Sequence, residues 1–186
     1  MNKIVALSGS LSKPSRTRNL VETIAHRLAQ QWPASVHVID IAELTGELGH
    51  AVSFQNIPAS IQRAQQLLTQ ADVLVLASPV YKGSYSGLFK HFLDLLDPGA
   101  LRGKVTLLAA TGGSDRHALV LEHQLRPLAS FFETVTAPSG IYARDSEFVN
   151  YQLQLPEGAH ALARVDLAVA QTLSLLLPRE VAARAA

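Results

Sequence analysis

A parallel five-stranded α/β sheet in the order 2-1-3-4-5, covered by helices on both faces, is the fold the sequence predicts. Three observations predict it. Strand candidates recur at Lys3–Ser8, Val36–Ile41, Asp72–Ser78 and Val105–Thr111, and the third of them holds a continuous apolar run, as in strands buried on both faces. Segments with helical apolar spacing lie between them. The strand–helix alternation persists through the chain, which requires crossover connections and hence a parallel sheet.

The elements follow in order. The first strand, Lys3–Ser8, leads into a helix over Asn19–Gln31, whose stripe is Leu20, Ile24, Leu28 and Trp32, flanked by Val21 and Ala25. Val36–Ile41 is the second strand. Pro58–Ala71 is a helix with Pro58 in its first turn. Asp72–Ser78 is the third strand and Gly87–Leu96 the next helix, stopped near Pro98-Gly99. Val105–Thr111 precedes a helix over Asp115–Phe132 that Pro127 interrupts. Thr134–Tyr142 is the fifth strand, and a last helix runs from Gly158 to Leu177, where Pro178 stops it. No linker, repeat or low-complexity tract appears, so residues 1–178 read as one domain and 179–186 as a frayed tail. A lid is one reading of Thr45–Asn56.

Bulk composition excludes several functions. The chain has 186 residues, 48% hydrophobic and 17% charged, which suits a packed core rather than disorder. A net charge of +1 gives no field for nucleic acid or an anionic membrane. Cysteine is absent, which removes disulfides, thiolate metal sites and a cysteine nucleophile. No targeting segment and no apolar run of membrane-spanning length is present. A cytoplasmic location is the expectation.

Three loops carry the chemistry. The loop after the third strand, Ser78-Pro79-Val80-Tyr81-Lys82-Gly83-Ser84-Tyr85-Ser86-Gly87, is polar, aromatic and glycine-bearing. Open α/β sheets bind ligands at such a place, beyond the carboxyl ends of the strands at a topological switch point. Amides of Val80, Tyr81 and Lys82 are expected at the edge of a flat ring, with Tyr81 or Tyr85 against its face; Tyr85 as a core anchor and Lys82 as a solvated charge are the bland alternatives. The loop after the first strand contains Ser10, Ser15, Arg16 and Thr17, with Lys13 and Arg18 beside them. Hydroxyls, cations and free amides at a helix N-terminus suit a phosphate; Ser15 or Thr17 as an ordinary cap is the plainer alternative. The loop after the fourth strand, Thr111-Gly112-Gly113-Ser114, allows close backbone approach to a planar ligand.

Two better-known phosphate loops do not fit. No Gly-Lys pair of a P-loop is present, and only Gly9 of the dinucleotide fingerprint is. Asp40 lies 31 residues past Gly9, beyond the ~20 of a ribose ligand, and reads as a turn cap. The seven histidines show no H-x-x-x-H spacing, and a metal site is not expected.

Together, Gly9-Ser10, Ser15-Arg16-Thr17, Pro79-Val80-Tyr81-Lys82, Tyr85-Ser86-Gly87 and Thr111-Gly112-Gly113-Ser114 resemble the NAD(P)H-dependent FMN reductases. The likeness is nearest to the reductase components of two-component alkanesulfonate and methanesulfonate monooxygenases, and covers Lys3 to Tyr151. It implies a flavodoxin-like fold. It also implies that Ser10, Ser15, Arg16 and Thr17 hold the FMN phosphate, while Pro79, Val80, Tyr81 and Lys82, with Thr111, Gly112, Gly113 and Ser114, border the isoalloxazine. NADPH or NADH would stack on the exposed flavin face. Members that pass reduced flavin to a monooxygenase carry an inserted residue, and with it a π-bulge, in the helix after the Gly-Gly loop, at a tetramer interface. His123 occupies the matching position, and apolar residues 118–121 and 125, 128 and 129 are out of helical phase by about one residue, as a π-bulge produces. A kink at Pro127 alone is the competing account.

The implied reaction is hydride transfer from nicotinamide to FMN, without a catalytic side chain, in a homo-oligomer that supplies reduced FMN to a partner monooxygenase. The alternative is an NAD(P)H:quinone or azo reductase that keeps FMN as a bound prosthetic group. A flavodoxin-like electron carrier is disfavoured by the near-neutral charge.

Overall fold

The structure is a computed structural model that describes residues 2–184, with side chains described to residue 176. Strand β1 (Asn2–Ser8) leads to α1 (Arg16–Gln31), β2 (Ala34–Asp40), α2 (Ile41–Leu48), α3 (Ala59–Thr69), β3 (Val73–Pro79), α4 (Gly87–Asp94) and β4 (Val105–Gly112). A one-turn 3-10 segment (Asp115–His117) and a π-helix (Leu121–Leu125) precede α5 (Arg126–Phe131). Then come β5 (Val135–Thr136), β6 (Ile141–Arg144), a hairpin of β7 (Phe148–Val149) and β8 (Gln152–Leu153), and α6 (Ala159–Arg184). The main sheet runs β2-β1-β3-β4-β5, with β6 also paired to β4, all parallel. The predicted order is the observed one, and the fold is flavodoxin-like.

The apolar runs explain the layering. In β1, alternate residues feed opposite faces: Val5 and Leu7 join a core with α2, α3, α4 and α5, while Ile4 and Ala6 join a second core with α1 and α6. Both faces are covered, so β3 and β4 carry no polar alternation. Helices on both sides leave the carboxyl ends of β1, β3 and β4 as the place where loops gather.

Four sequence expectations are corrected. The stretch after β2 forms α2, capped by Asp40, whose carboxylate accepts from the Ala42 amide; residues 45–48 of the supposed lid are therefore helical. The single fifth strand is two. Ala137 still donates to the Thr106 carbonyl at 2.9 Å, but Pro138 lacks an N–H, and pairing resumes only at Ile141 opposite Ala109. Pro127 does not break its helix; it sits in the first turn of α5, where a missing N–H costs nothing. The interruption lies upstream, where the Arg126 amide reaches the Leu121 carbonyl five residues back. Finally, α6 continues past Pro178 to Arg184, so this proline does not stop the helix. Side chains of the expected frayed tail, 179–186, lie outside the described residues.

The margin of the sheet at β5 and β6 has a specific arrangement. Arg126 donates to Thr136 Oγ1 (2.8 Å) and to the carbonyls of Ala137 (3.3 Å) and Pro138 (3.1 Å). Gln171 accepts from the Ser139 amide, Arg164 donates to the Gly140 carbonyl, and Glu147 accepts from the Arg144 amide. Among the described residues, no helix is long and apolar enough to cross a membrane.

Candidate functional site

The cleft begins at the N-terminus of α1. Ser15 is the N-cap, its hydroxyl accepting from the Arg18 amide at 3.1 Å, so the cap reading of this residue holds. The first amides of the helix, those of Arg16 and Thr17, then have no intrahelical acceptor and point outward with the positive end of the helix dipole. Ser10 Oγ accepts from the Ser12 amide at 3.2 Å and shapes the turn. Thr17, buried, shares a 2.7 Å hydrogen bond between hydroxyls with Thr111, which ties α1 to the end of β4.

Arg16 is the cation that faces the cleft. Its guanidinium lies over the Tyr151 ring, 4.9 Å from the centroid, and Nη1 is 3.8 Å from an Asp145 carboxylate oxygen. Its Nε is buried with no hydrogen-bond partner. An unmet buried N–H costs about 1–3 kcal/mol, so it marks a place where an acceptor belongs.

Lys13 and Arg18 do other work. Lys13 lines the cleft, but its ammonium is 3.0 Å from Glu43. Arg18 turns away to Glu22, Asp40 and Glu43 at 2.9, 3.0 and 2.8 Å. Hydrogen bonds from Lys13 and then Arg18 hold the Glu43 carboxyl below its ordinary range. Bonding to Glu22 above all, and also to Asp40 and Glu43, keeps the Arg18 guanidinium more firmly protonated than usual. Asp40 and Glu43 come from β2 and α2, far from the loop in sequence.

The loop after β3 is more committed to itself than expected. The Val80 amide donates to the Thr111 carbonyl at 2.8 Å, and the Tyr81 amide to the Ser84 carbonyl at 2.8 Å. Neither is free for a ring edge. Lys82 takes a left-handed φ of 52° at the tip of this turn and is exposed. Tyr85 packs against Phe89 with ring centroids 6.0 Å apart and belongs to the core, whereas Tyr81 is exposed at the cleft. Ser84 Oγ donates to Gln124 of the π-helix at 2.9 Å.

The two glycines differ. A Cβ on Gly112 would overlap the Tyr142 hydroxyl, which donates to the Ser114 carbonyl at 2.7 Å. A Cβ on Gly113 would meet nothing nearer than Asp145 Oδ2 at 4.0 Å. Gly112 makes room for a tyrosine, and Gly113 is the open backbone. Burial, with Asp115 and Asp145 nearby, pushes the Tyr142 phenol up.

The resulting cleft, about 310 Å³, is lined by Ser10, Ser15, Arg16, Thr17, Pro79, Val80, Tyr81, Thr111, Gly112 and Gly113 from the sequence-derived set. That size falls within the ~300–1,000 Å³ of small-molecule sites. Lys82 and Ser114 stand just outside it. Asp145 and Tyr151 line it and were missed. Tyr151 sits in the two-residue turn of the β7–β8 hairpin, and Asn150 before it was the one available signal, as a residue tolerant of positive φ. His123 lies elsewhere, exposed on the π-helix beside Gln124, Tyr85 and Phe131.

Fold and cleft define a flavodoxin-like α/β protein with a small-molecule-sized cleft at the carboxyl ends of its strands. The comparisons narrow the class: the chain belongs to the NADPH-dependent FMN reductase family, whose family model matches residues 2–148. It is an enzyme of that family, working with FMN and reduced nicotinamide. It is 50% identical over 151 residues, 81% of either chain, to the NADH-dependent FMN reductase SfnF of Pseudomonas fluorescens. The FMN reductase (NADPH) of Pseudomonas aeruginosa is 46% identical over the same shares. An oxidoreductase from Corynebacterium diphtheriae superposes with a TM-score of 0.82 at 35% identity, covering 96% of this chain and 98% of its own.

Proposed function

We propose that this cleft binds FMN, phosphate against α1 and ring between the loops after β3 and β4, and that reduced FMN leaves for a partner sulfonate monooxygenase. The observation that carries the reading is the buried, unpartnered Arg16 Nε beside the N-terminus of α1. The donor set suits a phosphate: one guanidinium, two outward amides and the hydroxyls of Ser10 and Thr17.

Bound FMN supplies a hydride-accepting ring, and the reduced nicotinamide supplies the hydride. The chain's own residues bind and orient. Ser10, Ser15, Arg16 and Thr17 form the phosphate end. Pro79, Val80 and Tyr81 form one wall of the ring site, with Lys82 at the mouth. Thr111, Gly112, Gly113 and Ser114 form the other wall, and the open Gly113 backbone faces developing negative charge. Among the described residues no group of three or more metal-ligating side chains occurs.

Delivery to a monooxygenase is supported by the π-helix at Leu121–Leu125, which contains His123 as the resemblance to flavin-transferring members implies. On this reading the chain is one flavin-binding domain within a cytoplasmic homo-oligomer, a dimer or tetramer, associating through the π-helix surface. The test is NADH and NADPH oxidation by purified protein with FMN, FAD, riboflavin or quinone added. Turnover that scales with free FMN, with flavin lost on gel filtration, is expected. Flavin retained through turnover, with quinone outpacing FMN, would instead establish a quinone or azo reductase.

A further inference from the structure

Tyr151 is not among the residues that the family resemblance points to, yet the Arg16 guanidinium lies over its ring, 4.9 Å from the centroid. We propose that Tyr151 is a positioning residue: it holds Arg16 for the flavin phosphate and so sets the preference for FMN over unphosphorylated riboflavin. The proposal rests on the reading that phosphate sits at the α1 N-terminus.

The geometry has three parts. First, Arg16 has two partners in the cleft, and they act differently on a phosphate. Asp145 is 3.8 Å away, too long for a hydrogen bond, and its charge opposes an incoming anion. The Tyr151 ring at 4.9 Å attracts the cation while carrying no charge of its own.

Second, the turn accepts strain to keep a tyrosine there. Val149 pairs with Gln152, so Asn150 and Tyr151 alone make the turn, with φ of 48° and 65°. Such a turn favours asparagine then glycine. Asn150 fits; Tyr151 does not, and strain of this kind persists mainly where a side chain has a task.

Third, the hairpin is fastened to the helix that presents Arg16. Asn19, one turn along α1, accepts from the Leu153 amide and donates to Gln152 Oε1, each at 2.7 Å. Leu153 is buried in the core that includes Leu20 and Ile24. Tyr151 and Arg16 therefore sit on one frame.

The experiment measures dissociation constants and KM for FMN and for riboflavin with Arg16→Ala, Tyr151→Gly and Tyr151→Phe. Glycine suits the turn better than tyrosine, so Tyr151→Gly removes the ring without endangering the hairpin; thermal unfolding checks this. Arg16→Ala weakens FMN by at least about tenfold and riboflavin by less than about twofold. Tyr151→Gly weakens FMN about three- to fivefold, leaves riboflavin unchanged, and Tyr151→Phe restores FMN binding. If Arg16→Ala treats both flavins alike, the phosphate reading fails. If Arg16→Ala discriminates but Tyr151→Gly leaves FMN binding intact or weakens both flavins equally, only the role of Tyr151 is overturned. Failure of Tyr151→Phe to rescue would likewise overturn it.

Discussion

Gly112→Ala tests the division of labour between the two glycines. The new Cβ would overlap the Tyr142 hydroxyl and stand 3.1 Å from its Cζ. Tyr142 is 7% exposed and cannot swing into solvent. Overpacking of this kind costs about 1–3 kcal/mol, and loss of the bond to the Ser114 carbonyl adds about 1 kcal/mol, so roughly 2–4 kcal/mol is expected. For a chain of this size that lowers Tm by roughly 4–16 °C. Gly113→Ala, with open space around it, changes apo-protein stability by less than about 0.5 kcal/mol. The assay is thermal and urea unfolding of the flavin-free protein. The double variant Gly112→Ala/Tyr142→Phe removes the clashing hydroxyl and recovers about 1 kcal/mol relative to additivity. Equal Tm losses for the two alanines, or an additive double variant, would refute the assignment of Gly112 to the tyrosine.

Thr17→Val strands the buried Thr111 hydroxyl and costs about 1–3 kcal/mol by urea unfolding, whereas Thr17→Val/Thr111→Val removes both partners and costs less than either single change. Gly113→Val leaves folding intact but raises the FMN dissociation constant by at least about tenfold, because the side chain enters the cleft. The Arg126 hydrogen bond holds the Glu122 carboxyl below its ordinary range, so this pair stabilises the fold at neutral pH and the contribution disappears as pH falls through the lowered value. The stability difference between wild type and Glu122→Gln, about 0.2–1 kcal/mol for so exposed a pair, should therefore start to shrink as pH falls below about 4.3, the ordinary carboxyl value, and vanish only below the lowered one.

Legibility in the sequence tracks the range of the responsible interaction. The sheet order was readable because Ile4–Leu7, Val73–Ala77 and Leu107–Ala110 are apolar without interruption, a local property. The loop at the N-terminus of α1 was readable as a cluster of hydroxyls and cations, but not which cation is left to face the cleft. Arg18 and Lys13 look equal to Arg16 until Glu43 and Asp40 arrive from α2 and β2 and claim them. The free amides assigned to Val80 and Tyr81 were lost for the same reason, since Thr111 lies on another strand and the Ser84 carbonyl returns only once the turn closes. The hairpin at Phe148–Leu153 was hidden because a tyrosine in a positive-φ position violates the turn's usual signature. The π-helix was half visible, as a phase slip whose cause could equally have been Pro127.

The side chains along β5 and β6 bear on how the protein stays dispersed. A sheet margin with free amides and carbonyls is a template for another chain. Here Arg126, Arg164, Gln171 and Glu147 occupy backbone groups from Ala137 to Arg144, and an arriving strand would have to evict them. An Arg126→Ala/Arg164→Ala chain would accordingly fail first in the test tube as turbidity at high concentration, while flavin reduction in the proposed cleft, which neither arginine lines, carried on unaltered.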